Sequence, residues 1–382
     1  MQEKSPAYIT ARSSYIALQN ITKDLKRTSL PHLPPLPGYQ GDVEFVTQFE
    51  IWKKWIEWEK EDPLVLKDED SAAYKTRVVY VYKQATMALR FWPVLWFEAA
   101  EFCFENDMNT EGNEFLNEGI NANPESCLLA FKRADRVEVT SASEKGDDGA
   151  KRRGEAVRAP YNRCLDALYE LISYVEKRQK QAIARVREYY AQQADNTEKN
   201  EDEDDDEDEE DDKDSSSGDA NGKRDPRTAA NQEAILNAQI EAIQQADAAQ
   251  IKLLRRTISF AWIALMRAMR RIQGKGKVGD VIGGSRQIFT DARHRGRLTS
   301  DVYSASALIE YHCYKDPAAT RIFEKGMKLF PEDEAFALEY LKHLIAIQDV
   351  TSMRLLFSHV FRKQYTNSLQ TLEQYSKLLS AN

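Results

Sequence analysis

A pair of short helices recurs in this chain about every 34 residues, and few folds accommodate such a pattern. The first helix of the pair carries an aromatic stripe, clearest in Phe49-Glu-Ile-Trp52-Lys-Lys-Trp55-Ile-Glu-Trp58-Glu59. The second ends in an aromatic followed by a small residue, as in Tyr82-Lys-Gln-Ala85 and Phe323-Glu-Lys-Gly326. Tyr82 recurs at Phe115, 33 residues on, and Phe289 recurs at Phe323 and then at Leu356, at spacings of 34 and 33. Two helices per unit at this period specify an all-α fold, an α-α superhelix whose repeats bury their apolar faces against their neighbours. Little or no β-strand is expected. A solenoid is a surface for holding other molecules, so the pattern points to a scaffold.

Read along the chain, residues 1–40 give an N-terminal helix over 7–28 and a linker with Pro31, Pro34, Pro35 and Pro37. Each proline fixes φ and removes a donor, which favours an extended spacer over a ligand for SH3 or WW modules. A first block of repeats occupies 41–165, with Asp42 as its opening N-cap and a disordered loop at about 140–155, where Ser, Gly and charge dominate. Pro93, Pro124, Pro317 and Pro331 punctuate helix starts, where a missing N–H costs nothing. Residues 166–256 overrun the repeat length. They read as an insertion of two long helices, an antiparallel hairpin around a disordered acidic loop at 196–227, with Leu236, Ile240, Ile243, Ile251, Leu254 and Ile258 on one face. A second block follows at 257–364, then a tail at 365–382. The array ends without a polar capping repeat, as a piece of a longer array would.

The aromatic stripes are expected to be core. Trp52, Trp55, Trp58, Trp96, Phe115, Tyr161, Trp262, Phe289, Tyr303, Phe323 and Leu356 are the repeat-core positions. Hydrophobic residues make up 42% of the 382, ample for such a core. The net charge of −9 is concentrated: Glu201 to Asp212 are twelve consecutive acids, and without them the chain carries +3. That run reads as a self-repelling spacer, with bait for basic tails or a guard against non-specific RNA as alternatives. Four scattered cysteines without a C-x-x-C pair fit reduced thiols, with no disulfide framework or zinc site. No signal peptide and no apolar run of about 20 residues is visible, so a nuclear or cytosolic protein with no membrane contact is expected.

No motif carries catalysis, a cofactor, a metal or a small-molecule ligand. Gly274-Lys-Gly276-Lys-Val-Gly279 matches the dinucleotide fingerprint literally, but it follows a helix instead of a strand, and reads as a flexible helix-to-helix loop. The five histidines form no ligand pattern, and no nucleophile signature appears. Two basic clusters are candidates for RNA or phosphate contact: Arg267, Arg270, Arg271, Lys275 and Lys277, and Arg293, His294, Arg295 and Arg297. Solvated helix ends explain the same residues, and that reading is favoured.

The two-helix signature resembles the HAT (half-a-TPR) repeat of RNA-processing proteins, in Trp52-x-x-Trp55-x-x-Trp58-Glu59 and in Arg321-Ile-Phe-Glu-Lys-Gly326 before Pro331. Ile51 to Lys60, Leu95 to Phe102 and Ala307 to Asp316 are similar, in order as well as in motif, to the HAT subunit of the cleavage stimulation factor. Tyr161-Asn-Arg-Cys-Leu165 and Arg354-Leu-Leu-Phe357 fit the corresponding second helices. The fungal counterpart belongs to cleavage factor IA, within the suppressor-of-forked family. The resemblance covers about 41–165 and 257–360. It implies a non-catalytic scaffold in pre-mRNA 3′-end cleavage and polyadenylation, in the nucleus, partnered by other cleavage-factor subunits. It also implies a homodimer through the second repeat block, with RNA reached mainly indirectly. The family's first repeats and its C-terminal tail, which binds the RNA-recognition-motif subunit, have no match here. The competing readings are a HAT scaffold of splicing or ribosomal RNA processing, and a direct, non-specific RNA binder.

Overall fold

The computed structural model describes residues 4–27, 30–35, 37–142, 146–203 and 226–357, and these form an all-α helical-repeat solenoid. The helices are α1 (Lys4–Thr22), α2 (Asp42–Lys60), α3 (Leu66–Glu69), α4 (Ser71–Ala88), α5 (Pro93–Glu105), α6 (Asn109–Ala122) and α7 (Cys127–Thr140). They continue with α8 (Gly146–Glu203), α9 (Pro226–Gln273), α10 (Gly284–Arg295), α11 (Asp301–Tyr314), α12 (Ala318–Leu329), α13 (Glu334–Ala346) and α14 (Val350–Leu356). Six repeat pairs follow: α2 with α4, α5 with α6, α7 with α8, α9 with α10, α11 with α12, and α13 with α14. The acidic loop expected at 196–227 lies, apart from its edges, outside the described residues, and so does the tail expected at 365–382. At both edges α8 and α9 are helical.

Local chemistry sets the helix starts. Asp70, Ser126, Asp333 and Asp349 each accept a hydrogen bond from the backbone N–H three residues on, at 3.0, 3.5, 3.1 and 3.0 Å. Pro93 is the first residue of α5. Asp42, expected as a cap, is instead the first residue of α2; Gly41 caps with φ +88°, and the Asp42 carboxylate accepts the Gly38 N–H at 2.8 Å. The first helix ends at Thr22 and not near 28, and its Thr22 hydroxyl donates to the Leu18 carbonyl. The loop expected at 140–155 is largely helix: α7 reaches Thr140 and α8 begins at Gly146. Asp147 and Asp148 suit the positive end of a helix dipole, and Val157 is fully buried, so charge here marks a first turn.

The two long helices are prolongations of repeat helices. The N-terminal part of α8 is the second helix of the third pair, and the C-terminal part of α9 is the first helix of the fourth. Between these ends they run antiparallel as a two-helix hairpin. Ile172 and Val175 are buried on α8, facing half-buried Ile251 and Leu254 and buried Ile258 on α9. Asp247 is buried in this seam and takes the Arg178 guanidinium at 2.5 Å, which pins the register of the two helices.

Two hydrophobic clusters fill the solenoid. The first runs from Phe45 to Leu129 and the second from Ala130 to Leu356, so consecutive residues of α7 serve different cores. The expected core positions are buried, except Trp58, which is half-buried against the first cluster. Trp52 and Trp55 stack at 5.5 Å between ring centroids. In the second cluster the Trp262 indole N–H donates to Tyr169 Oη at 3.2 Å, and Tyr169 donates to the Gly296 carbonyl at 2.8 Å. Close helix approach explains the small residue of the signature. A Cβ on Gly326 would fall 2.2 Å from the Phe336 ring.

Candidate interaction surface

The repeat anchor fixes a second position, seven residues on along the same helix face, two turns away. It holds Glu59 after Trp52, Cys103 after Trp96, Glu310 after Tyr303 and His343 after Phe336, and all four are buried. The two glutamates are satisfied by bidentate arginines. Arg77 of α4 reaches Glu59 at 3.0 and 2.9 Å, and the Trp55 indole N–H adds a contact at 3.4 Å. Arg286 of α10 reaches Glu310 at 2.7 and 2.8 Å and extends to Asp316 at 3.0 Å. The Lys275 ammonium also closes on Asp316; with the Ala318 N–H it holds that carboxyl down at about 2. His343 contacts Thr320 Oγ1 at 3.0 Å and packs on Tyr311 and Phe323; burial, then nearby His312, lowers its pKa.

The candidate RNA-contact residues are dispersed among intramolecular partners. Arg271 forms a bidentate pair with Glu138 of α7, at 2.8 and 2.6 Å. Arg295 pairs with Asp166 at 2.7 Å and lies over the Tyr169 ring at 4.2 Å. Arg297 reaches Glu176 at 2.7 Å and Ser173 at 2.9 Å. Lys275 is on Asp316 and 5.6 Å from the Tyr314 ring centroid, Arg293 stacks on Phe289 at 5.0 Å, and Arg270 sits 3.6 Å from Cys313 Sγ. Arg267 and Lys277 are exposed. The geometry therefore ties α10 and the end of α9 to α7, α8 and α11. The acids that do so lie up to 133 residues away in sequence, which is why local composition showed only the cations.

The glycine-rich segment between α9 and α10 closes on itself. Gly276 and Gly284 have φ of +65° and +56°, and a Cβ on Gly276 would fall 2.1 Å from the backbone of Gly283. The amides of Ser285 and Arg286 donate to the carbonyls of Gly274 and Lys275 at 3.1 and 3.3 Å, and Gly284 N–H donates to Gln273 Oε1 at 3.2 Å. These amides, which a phosphate cradle would need, are taken. Among the described residues no group of three or more His, Cys, Asp or Glu is placed to hold a metal ion, and no helix is long and apolar enough to cross a membrane.

A concavity of about 390 Å³ lies between α2 and α5. Its floor is Phe49, Trp52, Ile56, Trp92 and Leu95, and its rim mixes Lys53, Glu57, Lys60 and Glu98. No acid–base or nucleophile constellation lines it.

Comparison with known proteins accords with this architecture. A family model described as suppressor of forked protein matches residues 1–381. The chain is 61% identical over 367 residues to an mRNA 3′-end-processing protein rna14 of Emericella nidulans, covering 96% of this chain and 32% of that protein. It is 62% identical over 367 residues to the protein of that name from Aspergillus oryzae, again covering 96% and 32%. With the Neurospora crassa mRNA 3′-end-processing protein rna-14 it shares 49% identity over 376 residues, 95% of this chain and 30% of the relative. The chain thus spans about a third of the length of the curated relatives it matches. On the match of the whole repeat array to one family model, the chain belongs to the suppressor-of-forked family.

Proposed function

We propose that this chain is a non-catalytic scaffold segment of the nuclear machinery that cleaves and polyadenylates pre-mRNA 3′ ends. The observation that carries this reading is the near full-length similarity of the chain to proteins named for mRNA 3′-end processing. The architecture supports it. A stack of helix pairs presents a long surface, and its buried Glu59 and Glu310 are spent on joining helices. The array organises other cleavage and polyadenylation factors, the second block at 257–364 forms a homodimer, and RNA reaches the complex mainly through those partners. Affinity capture with the tagged chain from nuclease-treated fungal nuclear extract tests the scaffold role. Recovery of cleavage and polyadenylation factors is expected. Recovery of splicing or ribosomal RNA-processing proteins without them would overturn it. For the dimer, light scattering of the full chain is expected to give twice the 43.8 kDa chain mass, and a concentration-independent monomer would remove that part.

A further inference from the structure

The stem of the α8–α9 hairpin carries cations that pair with no acid among the described residues. Lys177, Lys180 and Arg187 on α8, and Lys252 and Arg255 on α9, are exposed and enter no ion pair among the described residues. Of the other cations there, Arg178 is spent on Asp247 and Arg297 on Glu176, while exposed Arg185 and Arg256 lie at other angles around their helices. At 100° per residue the three α8 cations fall within a sector of about 80°, and the two on α9 lie about 60° apart.

Both sets share one flank. The connection from α10 to α11 rests on it, through Arg297 to Ser173 at 2.9 Å and through the Thr299 N–H to Ser259 Oγ at 2.8 Å. Ser173 lies in the α8 sector of Lys177 and Lys180, and Ser259 lies in the α9 sector of Lys252 and Arg255. Taking the Arg178–Asp247 pair as a common level, a rise of 1.5 Å per residue spreads the five cations over about 25 Å along the stem. That is a stripe the length of a few nucleotides. The exposed apolar side chains of the stem, Leu171, Tyr174, Tyr189, Ile235 and Leu253, lie outside both sectors. A protein partner would need an apolar centre in such a patch, and the stripe has none.

We propose that this flank binds the sugar–phosphate backbone of single-stranded RNA without reading its bases. The choice of RNA over another polyanion rests on the 3′-end-processing reading. The contact would add a non-specific grip beside the repeat array, distinct from the residues of the 267–297 clusters that pair within the fold.

The test is binding of a fluorescent 12-mer oligouridylate to the full chain between 50 and 200 mM salt. With about 0.7 of a counterion released per phosphate contacted, five contacts give a slope of log K against log salt near about −3.5. The triple variant K177E/K180E/R187E is expected to reduce that slope by about 2 and to weaken binding at least about tenfold at the lowest salt. All three residues are exposed, so unchanged helical circular dichroism is expected. The control R267E/K277E, exposed cations off the stripe, is expected to leave the slope unchanged. An unaltered slope in the triple variant would overturn the proposal. So would absence of RNA binding, whether or not a poly-glutamate peptide of matched charge binds in its place. Capture of cleavage factors from nuclease-treated extract is read separately, so failure of the RNA contact and failure of the scaffold reading are distinguishable.

Discussion

The two cores of this solenoid are fastened differently. In the first, between α2 and α7, tryptophan dominates. Trp52 stacks on Trp55, Trp92 lies 5.8 and 5.1 Å from the Phe45 and Phe49 rings, and Trp96 meets Phe115 edge-on. Ion pairs between its repeat helices are few: Arg77 with Glu59, and Lys132 with Glu101. The second core has one tryptophan, Trp262, and its helices are cross-linked by charge. Arg158 holds Asp291, Arg178 holds Asp247, Arg271 holds Glu138, Arg286 holds Glu310, and Arg295 and Arg297 reach back to α8. The same repeat geometry is thus closed by apolar area in one half and by directional pairs in the other. The second half includes the junction where two helices leave the array as a hairpin. Apolar packing tolerates sliding there, whereas paired charges fix register.

The largest expected effects test whether the cores are separate units. Trp52→Ala and Trp262→Ala each remove a nearly fully buried indole and should cost about 3–5 kcal/mol in denaturant unfolding. Hydrogen exchange then discriminates. Trp52→Ala is expected to expose amides of α2, α4 and α5 while α11 to α13 keep their protection. Equal loss in both halves would make the solenoid one cooperative unit and dissolve the contrast.

The buried glutamates come next, and they sharpen it. Glu59→Ala leaves Arg77 without its acceptor and frees the Trp55 indole N–H, at a cost of about 2–3 kcal/mol. This is below the full penalty of a broken buried pair, because Arg77 is over a third exposed. Glu310→Ala should cost less, since Arg286 keeps Asp316 at 3.0 Å. Urea midpoints of the two variants give the order directly, and the reverse order would show that Asp316 does not back up Glu310.

How much of this was legible in sequence depends on the range of the interaction. The period, the proline punctuation and the aromatic anchors are local, and α12 begins at Ala318, directly after Pro317. Residues 146–155 misled because composition does not separate a loop from a helix start rich in Asp and Gly. Glu59 and Glu310 were visible only as members of a motif. That they are buried follows from the seven-residue spacing to the anchor, a signal the sequence does carry. The partners of the basic clusters were not legible for the opposite reason. Asp166, Glu176 and Glu138 are remote in sequence, and only the fold brings them against Arg295, Arg297 and Arg271.

A smaller effect separates the halves by pH. His343 packs in the second core, and its pKa is lowered below the ordinary 6.5 by burial and by His312. A lowered folded pKa means that the unfolded chain takes up the proton first. The stability His343 contributes is therefore complete above about pH 6.5 and falls as the pH drops below it, by at most about 1.4 kcal/mol per pH unit. Between pH 7.5 and 5.5, α11 to α13 should lose exchange protection while α2 to α5 do not. His343→Gln should flatten that loss, and persistence of the slope in the variant would assign it to another group.

The smallest effect concerns the exposed end of the charge network. Asp166 is 61% exposed, and its partner Arg295 retains the Tyr169 ring at 4.2 Å when the carboxylate is gone. Asp166→Asn should therefore change stability by less than about 0.5 kcal/mol, and 1 M salt should erase even that. Glu138 is 19% exposed and makes two bonds to Arg271 that join α7 to α9. Glu138→Gln should cost about 1–2 kcal/mol and respond little to salt. If the two variants instead behave alike, the second core is not graded from buried to exposed pairs. Its charges would then act through their summed field, and the contrast with the aromatic core would rest on net electrostatics in place of individual fastenings.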